Sequence, residues 1–189
     1  MKTYPDVEAY LQDLDTDPRL AVVSRQMAAD ALGLQRSTID KRLKDKKLTG
    51  IKIGKMTCVS AWSINEELRL DSVMVAKMRQ HLSRLATLGQ TVEYSPFMAA
   101  FGLDSNLTAH RNQVGRLLGK LSTTTFEEHG FLLSVLVVYK GSGIPADSFF
   151  GLAGEDNLDD PDYADAASDE AYFASHSQKV FDHFKRHPQ

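Results

Sequence analysis

The sequence predicts a mainly α-helical fold with small β-hairpins. Residues 24–59 read as a helix, a turn with glycine, a basic helix and a hairpin, the order of a winged helix-turn-helix. Residues 63–88 contain neither glycine nor proline and carry a heptad stripe of apolar side chains. We therefore expect two winged-helix-like domains, over 1–62 and 89–153, joined by a long helix over 63–88. An acidic linker and a C-terminal helix are expected over 154–189.

Charge is distributed unevenly along the chain. The net charge is −3, but residues 21–60 carry nine basic and three acidic side chains, which gives +6. Residues 154–189 carry three basic and nine acidic side chains, which gives −6. A basic block with an acidic appendage is typical of a protein that presents one face to nucleic acid.

Composition excludes several classes of protein. No run approaches the ~18–20 apolar residues of a membrane span, and the acidic first residues lack the apolar core of a secretory signal. The single cysteine, Cys58, rules out an internal disulfide and a cysteine metal cluster. We expect a cytoplasmic protein. Because Cys58 alternates with Met56 on a strand, we expect a buried structural thiol and not a redox or metal sensor.

The first domain is predicted to start with a short helix over 6–14 and an extended entry over 21–23. Ser24 is a good N-cap because its hydroxyl can accept a hydrogen bond from a free amide of the first turn. The helix over 25–32 should end at Gly33, since glycine adopts the left-handed conformation without a Cβ clash. The residues expected to face the core from this helix are Met27, Ala28, Ala31 and Leu32.

A basic helix follows a tight turn at residues 34–35. It begins at Arg36 or Ser37 and runs to about Lys46, with a narrow apolar face formed by Ile39 and Leu43 at i and i+4. Residues 51–59 alternate around a Gly-Lys pair and predict a β-hairpin.

The segments SRQMAADALGL, QRSTIDKRLKDKKL and IKIGKMTCVSAW, within residues 24–61, resemble the DNA-binding unit of the MerR and excisionase families. The resemblance implies that the basic helix lies in the major groove of DNA and that the hairpin is a wing. Arginine can contact guanine, and glutamine adenine, through paired hydrogen bonds, whereas serine, threonine and lysine suit phosphates. The residues expected to contact DNA are Arg25, Gln35, Arg36, Ser37, Thr38, Lys41, Arg42, Lys44, Lys52 and Lys55.

The long middle helix has a capping-box start, Ser63 with Glu66 three residues later. Its apolar stripe has one polar break at Asp71. This pattern predicts either a dimerisation helix, which suits a two-fold operator, or a helix that packs against both domains of one subunit. The stripe consists of Ile64, Leu68, Val75, Met78, Leu82 and Leu85.

In the second domain, Ser95-Pro96 predicts the start of a helix that ends at Gly102. A further helix over 108–121 should bury Val114, Leu117, Leu118 and Leu121. The apolar run over 131–139 predicts a buried strand, followed by a turn over 140–145. Another face of the second helix is a candidate for contact with DNA or a partner, and it carries Thr108, Arg111, Asn112, Arg116 and Lys120.

This second domain is similar to the winged-helix domain of the alkylguanine-DNA alkyltransferases in the segments GQTVEYSPFMAAFGL, RNQVGRLLGKL and LLSVLVVYKGSG. The resemblance implies a shape that docks on DNA. Those enzymes have Pro-Cys-His-Arg before the last strand, where this chain has four apolar residues over 135–138, and a valine is no nucleophile. Their arginine finger corresponds to Asn112, with Arg111 one residue earlier. We therefore expect no alkyl transfer.

The C-terminal segment divides at about residue 170. Residues 154–170 are polar and acidic and predict a mobile linker. Residues 171–186 predict a helix, which either covers part of the core or belongs to an acidic segment that binds a protein partner or competes with DNA. The apolar set of this helix is Tyr172, Phe173, Val180, Phe181 and Phe184.

The sequence shows no arrangement for catalysis. The six histidines lack metal-ligand spacing, residues 127–130 are expected to form a polar loop, and residues 140–143 form a turn and not a phosphate loop. We expect no enzymatic activity, no metal and no cofactor.

The predicted function is sequence-specific binding of double-stranded DNA, as a transcriptional regulator or as a recombination factor like the excisionases. Two alternatives stay open. One is an adaptor that binds a protein through the second domain and acidic tail. The other is a factor that recognises damaged bases without chemistry.

Overall fold

The computed structural model describes residues 1–154 and 157–187 of the 189-residue chain. The fold is mainly helical, with small sheets. The chain divides into two compact units, Met1–Ser72 and Val73–Gln189. A long helix, α4, contributes its beginning to the first unit and its remainder to the second. Within the described ranges, no helix is long and apolar enough to cross a membrane.

The first unit combines helices with a four-stranded sheet, and a 3₁₀ turn at Pro18–Leu20 precedes its second strand. Its elements in chain order are β1 (Lys2–Tyr4), α1 (Val7–Thr16), β2 (Val22–Val23), α2 (Arg25–Leu32), α3 (Arg36–Lys44), β3 (Gly50–Ile53), β4 (Met56–Ser60) and α4 (Ala61–Thr87).

The sheet has the strand order β1-β3-β4-β2. The predicted hairpin is confirmed, since β3 and β4 pair antiparallel with Ile51 opposite Cys58 and Lys52 opposite Thr57. The parallel pairing of β1 with β3, which sets Thr3 beside Lys52, was not predicted. It joins residues about fifty positions apart, and no local pattern signals such a contact.

The two faces of this sheet have different partners. Ile51 and Ile53 form one buried cluster with Tyr4 and with Tyr10 of α1. Alternation along β4 places Val59 on the opposite face, in the cluster that α2, α3 and the start of α4 build. Cys58 lies on the α1 face and is only partly buried, so its predicted full burial is corrected.

Helix α2 begins and ends as predicted, but its buried face is rotated by one residue. Ala28, Ala29 and Leu32 are buried, whereas Met27 is 58% exposed and Ala31 is also exposed. Both sets have the same helical spacing and are apolar, so the periodicity alone does not distinguish them.

The start of α4 also differs from the prediction. The helix begins at Ala61, and Ser63 lies inside its first turn instead of capping it. The Ser63 hydroxyl donates to the Ser60 carbonyl and accepts the Thr49 N–H at 3.2 Å, which ties the helix to the loop before β3.

The apolar stripe of α4 is used inside the chain. Ile64 and Leu68 pack in the first unit. Met78 and Leu82 have no exposed surface and, with Val75 and Leu85 packed beside them, belong to the core of the second unit. These contacts fit the second alternative for the stripe, packing within one subunit, and side chains buried in this way are not available to another copy. Dimerisation itself stays a prediction.

The second unit is built from the remainder of α4 and five further helices in its described part, with a two-stranded sheet. Its elements are β5 (Val92–Glu93), α5 (Tyr94–Ala100), α6 (Thr108–His129), β6 (Val137–Val138), α7 (Asp147–Ala153), α8 (Pro161–Ala164) and α9 (Asp169–Arg186).

Three predictions for this unit are corrected. Helix α5 starts at Tyr94, two residues before the predicted proline start. Helix α6 continues through residues 122–129, which includes most of the expected polar loop, and ends where Gly130 adopts φ 70°. Residues 131–138 of the apolar run after it are buried as predicted, whereas Tyr139 is exposed. The run forms a 3₁₀ turn, Leu133–Leu136, and the short strand β6, which pairs parallel with β5 and not in a hairpin.

The C-terminal segment belongs to the second unit. Leu158 and Tyr163 pack against the core, and Tyr172, Val180 and Phe184 of α9 are buried in it. The expected linker therefore has structure over residues 157–168. Residues 155–156 of the acidic stretch lie outside the residues that the structure describes. The last two residues of the chain, 188–189, also lie outside them.

A buried polar network joins this segment to the core. The Tyr172 hydroxyl donates to the Asp160 carboxylate at 2.6 Å, and His176 Nε2 accepts the Leu132 N–H at 2.8 Å. His176 Nδ1 is buried without a hydrogen-bond partner and lies 3.7 Å from the same carboxylate. Burial lowers the pKa of His176 to about 4, against the opposing effect of Asp160.

Candidate nucleic-acid interface

Two local features fix the ends of α2 and the path into α3. The Ser24 hydroxyl accepts the Met27 N–H at 3.1 Å, as an N-cap does. At the other end, Gly33 adopts φ 60°, and the Leu34 N–H returns to the Ala29 carbonyl at 2.9 Å. The chain thus reverses within three residues and enters α3 at Arg36.

Helix α3 turns one face to the core and another to solvent. Ile39 is fully buried and Leu43 is half-buried. At ~100° per residue, Ser37, Lys41 and Lys44 share the side opposite these two, and all three are exposed. Gln35, before the helix, and Arg36, its first residue, are also exposed, whereas Thr38 is half-buried.

Two arginines expected to contact DNA are engaged in ion pairs inside the first unit. Arg25 of α2 donates to Asp40 of α3 at 3.0 Å. Arg42 of α3 pairs with Glu67 of α4, and both side chains are 24% exposed. These pairs flank the exposed face of α3 and connect it to the helices on either side. The structure therefore gives Arg25 and Arg42 a role in holding α3.

The two hairpin lysines differ in exposure. Lys52 is half-buried, because β3 is an inner strand with β1 on one side and β4 on the other. Lys55 is exposed in the turn between β3 and β4. Gly54 in this turn adopts φ 55°, and its N–H donates to the Tyr4 carbonyl at 3.0 Å, so β1 anchors the tip of the hairpin.

The candidate residues did not include Lys46 and Lys47, although both are exposed directly after α3. Lys46 has φ 56°, and the N–H of Lys47 returns to the Arg42 carbonyl at 2.9 Å. This turn ends the helix two residues earlier than predicted. The basic run KDKK at residues 44–47 is the feature of the sequence that could have identified these two lysines as candidates.

The candidate face of the second unit lies on α6. The Arg111 guanidinium donates to the carbonyls of Ser105 and Asn106 and to the Thr108 hydroxyl, so it closes the loop before α6. Asn112, the next residue along the helix, is exposed.

Helical spacing places Thr108, Asn112, Arg116 and Lys120 in one row at i, i+4 intervals, and Arg111 lies beside this row. Lys120 is exposed and Arg116 is half-buried. Contact of this face with DNA or a partner stays a prediction.

Metal ligands are not grouped in the part of the chain that the structure describes: no set of three or more His, Cys, Asp or Glu side chains is arranged to hold an ion. No family of proteins, no curated protein and no solved structure matches this chain.

Proposed function

We propose that this protein binds double-stranded DNA in a sequence-specific manner through α3 and regulates transcription. The observation that carries the proposal is the solvent face of α3, where Ser37, Lys41 and Lys44 are exposed together. Gln35 and Arg36, at the start of the helix, are exposed as well. The preceding helix, the glycine turn and the following hairpin have the order of a winged helix-turn-helix.

The chemistry of this face suits the two kinds of contact that DNA offers. Residues at the start of a recognition helix contact base edges in the major groove. Arg36 can donate twice to guanine, and Gln35 can pair with adenine. Ser37, Lys41 and Lys44 lie further along the same helix and suit phosphate oxygens, which set register.

The ion pairs of α3 support the idea that its DNA-contacting face is held in place before DNA binds. Arg25–Asp40 and Arg42–Glu67 connect α3 to α2 and α4 within one unit. A helix held on both flanks presents its side chains in one orientation, which lowers the ordering cost of binding. We assign Arg25 and Arg42 as positioning residues and Arg36 as the principal candidate for base contact.

The hairpin completes the proposed interface. Lys55, at its exposed tip, is suited to a phosphate beside the groove. Lys52 is half-buried, and a lysine in such a setting can bury its aliphatic stem while its ammonium stays in water. The excess charge of +6 over residues 21–60 favours association with DNA despite the overall charge of −3.

Selection from a random duplex library at near-physiological salt tests this proposal. We expect enrichment of a defined motif by the full chain. The Arg36→Ala variant should lose selectivity at one or more motif positions, while Lys185→Ala, the same change of charge in the second unit, should leave the motif unchanged. Failure to enrich any sequence, with only weak salt-sensitive binding, would refute specific recognition.

The selected motif also reports on oligomeric state. A palindrome with half-sites about one helical turn apart indicates a dimer. Since Met78 and Leu82 are buried within the chain, such a dimer must use a surface other than the apolar stripe of α4.

A further inference from the structure

The second unit contains an open cavity of about 560 Å³ beside α6. Its volume lies within the range of small-molecule sites in proteins, roughly 300–1,000 Å³. Leu118, Val138 and Phe149 give it apolar walls. Tyr94 and Tyr139 also line it, with ring centroids 5.6 Å apart and planes inclined by 55°. Burial of Tyr94 raises the pKa of its hydroxyl, which keeps that hydroxyl neutral at neutral pH.

Two glycines of α6, Gly115 and Gly119, line the same cavity one helical turn apart. A Cβ at either position would meet nothing within 4 Å, and neither residue has a left-handed backbone. Neither close packing nor backbone conformation therefore requires glycine here, although glycine weakens a helix interior relative to alanine. What the two glycines do is leave a flat stretch of backbone exposed to the cavity.

A hydrogen-bond donor is left over at the cavity wall. Ser134 lines the cavity and is 8% exposed. Its Oγ lies 2.6 Å from Ser122 Oγ, which also accepts the Ser134 N–H at 3.2 Å. Two hydroxyl groups share one hydrogen bond, so one O–H proton remains. With Ser122 as the donor of the shared bond, the remaining proton is on Ser134, beside the cavity.

Among the lining residues that the structure describes, Arg111 is the one charged side chain, and its N–H groups are already engaged outside the cavity lining. They donate to two loop carbonyls and to the Thr108 hydroxyl. The cavity thus offers apolar walls, tyrosine rings, a flat backbone surface and a hydroxyl donor, which together favour an uncharged ligand.

We propose that this cavity binds an uncharged, planar aromatic small molecule that carries a hydrogen-bond acceptor. The ring lies against the Gly115–Gly119 backbone, and the acceptor receives the Ser134 O–H. This site is independent of the proposed DNA interface, which lies wholly in the first unit.

A matched pair of probes tests the shape and chemistry of the ligand. Benzamide and cyclohexanecarboxamide have the same number of heavy atoms and the same amide, but only benzamide has a planar ring. We expect ¹H–¹⁵N chemical-shift titration of the full chain to give benzamide a Kd of about 1 mM or tighter. The shifts should centre on the amides of Gly115, Gly119 and Ser134, and cyclohexanecarboxamide should bind at least about fivefold more weakly.

Three variants locate the site. Gly119→Leu should abolish benzamide binding by filling the cavity, and because leucine favours helix the variant should fold. Gly141→Leu is the matched control, since a Cβ there also meets nothing within 4 Å and the residue does not line the cavity. Ser134→Ala should weaken benzamide binding about 3- to 10-fold, the loss expected for one hydrogen bond.

The proposal is overturned if the folded wild-type chain binds neither benzamide nor the larger planar amide indole-3-carboxamide. Equal binding of benzamide and cyclohexanecarboxamide would overturn the requirement for a planar ring. Unchanged benzamide binding by Gly119→Leu would overturn the location.

Discussion

Acidification should destabilise the second unit through His176. The imidazole is neutral in the folded protein, because its Nε2 accepts the Leu132 N–H and burial lowers its pKa to about 4. In the unfolded chain the group has its ordinary pKa of 6.5. Below pH 6.5 the imidazole is therefore protonated in the unfolded state but stays neutral in the folded state. As a result the free energy of unfolding decreases as the pH falls towards 4.

The size of this effect follows from the difference in pKa. A shift from 6.5 to about 4 corresponds to about 3 kcal/mol at full effect, at 1.36 kcal/mol per unit. About 2 kcal/mol of this should be lost between pH 7 and pH 5. The side chain of His176 has no exposed surface, so solvent screening does not reduce the figure.

Urea unfolding followed by circular dichroism at pH 7, 6 and 5 measures the effect. Paired carboxylates also lose stability in acid, so the wild type is compared with His176→Gln, which keeps an amide in place of the titrating ring. The free energy of unfolding of the wild type should fall by about 2 kcal/mol more than that of His176→Gln over this range.

The exposed His187 provides the matched control. His187→Gln should retain the pH dependence of the wild type. If His176→Gln loses stability with acid as steeply as the wild type does, burial of a neutral His176 is not the cause and the reasoning is refuted.

Three further predictions concern helix ends, helix anchoring and the cavity wall. Ser24→Ala removes the N-cap bond of α2 and should lower the free energy of unfolding by about 1 kcal/mol, measured in urea; a change below ~0.3 kcal/mol would contradict the cap. Arg42→Ala removes the partner of Glu67 and should lower the free energy of unfolding of the first unit by about 1–2 kcal/mol. Arg36→Ala should change the free energy of unfolding by under ~0.5 kcal/mol. It should nevertheless weaken specific DNA binding by about 1–3 kcal/mol. Urea unfolding measures the effect on stability, and titration with the selected DNA motif measures the effect on affinity. If Arg36→Ala lowered stability and Arg42→Ala left it unchanged, the positioning and base-contacting roles would be exchanged. Gly115→Ala and Gly119→Ala should each raise thermal stability by up to about 1 kcal/mol, since an added Cβ meets nothing within 4 Å; a loss of stability in calorimetry would show that the cavity wall is packed more tightly.

Local signals in the sequence were sufficient to predict α2, α3 and the hairpin that follows them. Ser24 and Gly33 set both ends of α2 at the predicted residues, because a cap and a left-handed glycine act through hydrogen bonds within one turn. The alternation over residues 51–59 predicted the hairpin, whose strands are joined by a two-residue turn. The apolar set over residues 171–186 located α9 within two residues at its start.

Which side chains face solvent and which face the core could be determined only from the tertiary structure. Arg36 and Arg42 are both arginines of the predicted basic helix, and the sequence does not distinguish their roles. In the structure Arg42 forms an ion pair with Glu67 of α4, twenty-five residues away, whereas Arg36 is exposed to solvent. The apolar stripe of α4 is compatible with a dimer or with an intramolecular core, and only the tertiary structure shows that Met78 and Leu82 belong to the buried cluster of the second unit.

The sequence by itself determined the elements whose hydrogen bonds are local: the capped helix α2, the basic helix α3 and the hairpin β3–β4. Only the tertiary structure decided the contacts between residues far apart. These are the pairing of β1 with β3, the conversion of the apolar run after α6 into a 3₁₀ turn and a two-residue strand, and the burial of Asp160 beside His176. The physical reason is that an apolar run or a lone carboxylate has the same local preferences in several settings. Its conformation and its surroundings are selected by partners that arrive from elsewhere in the chain.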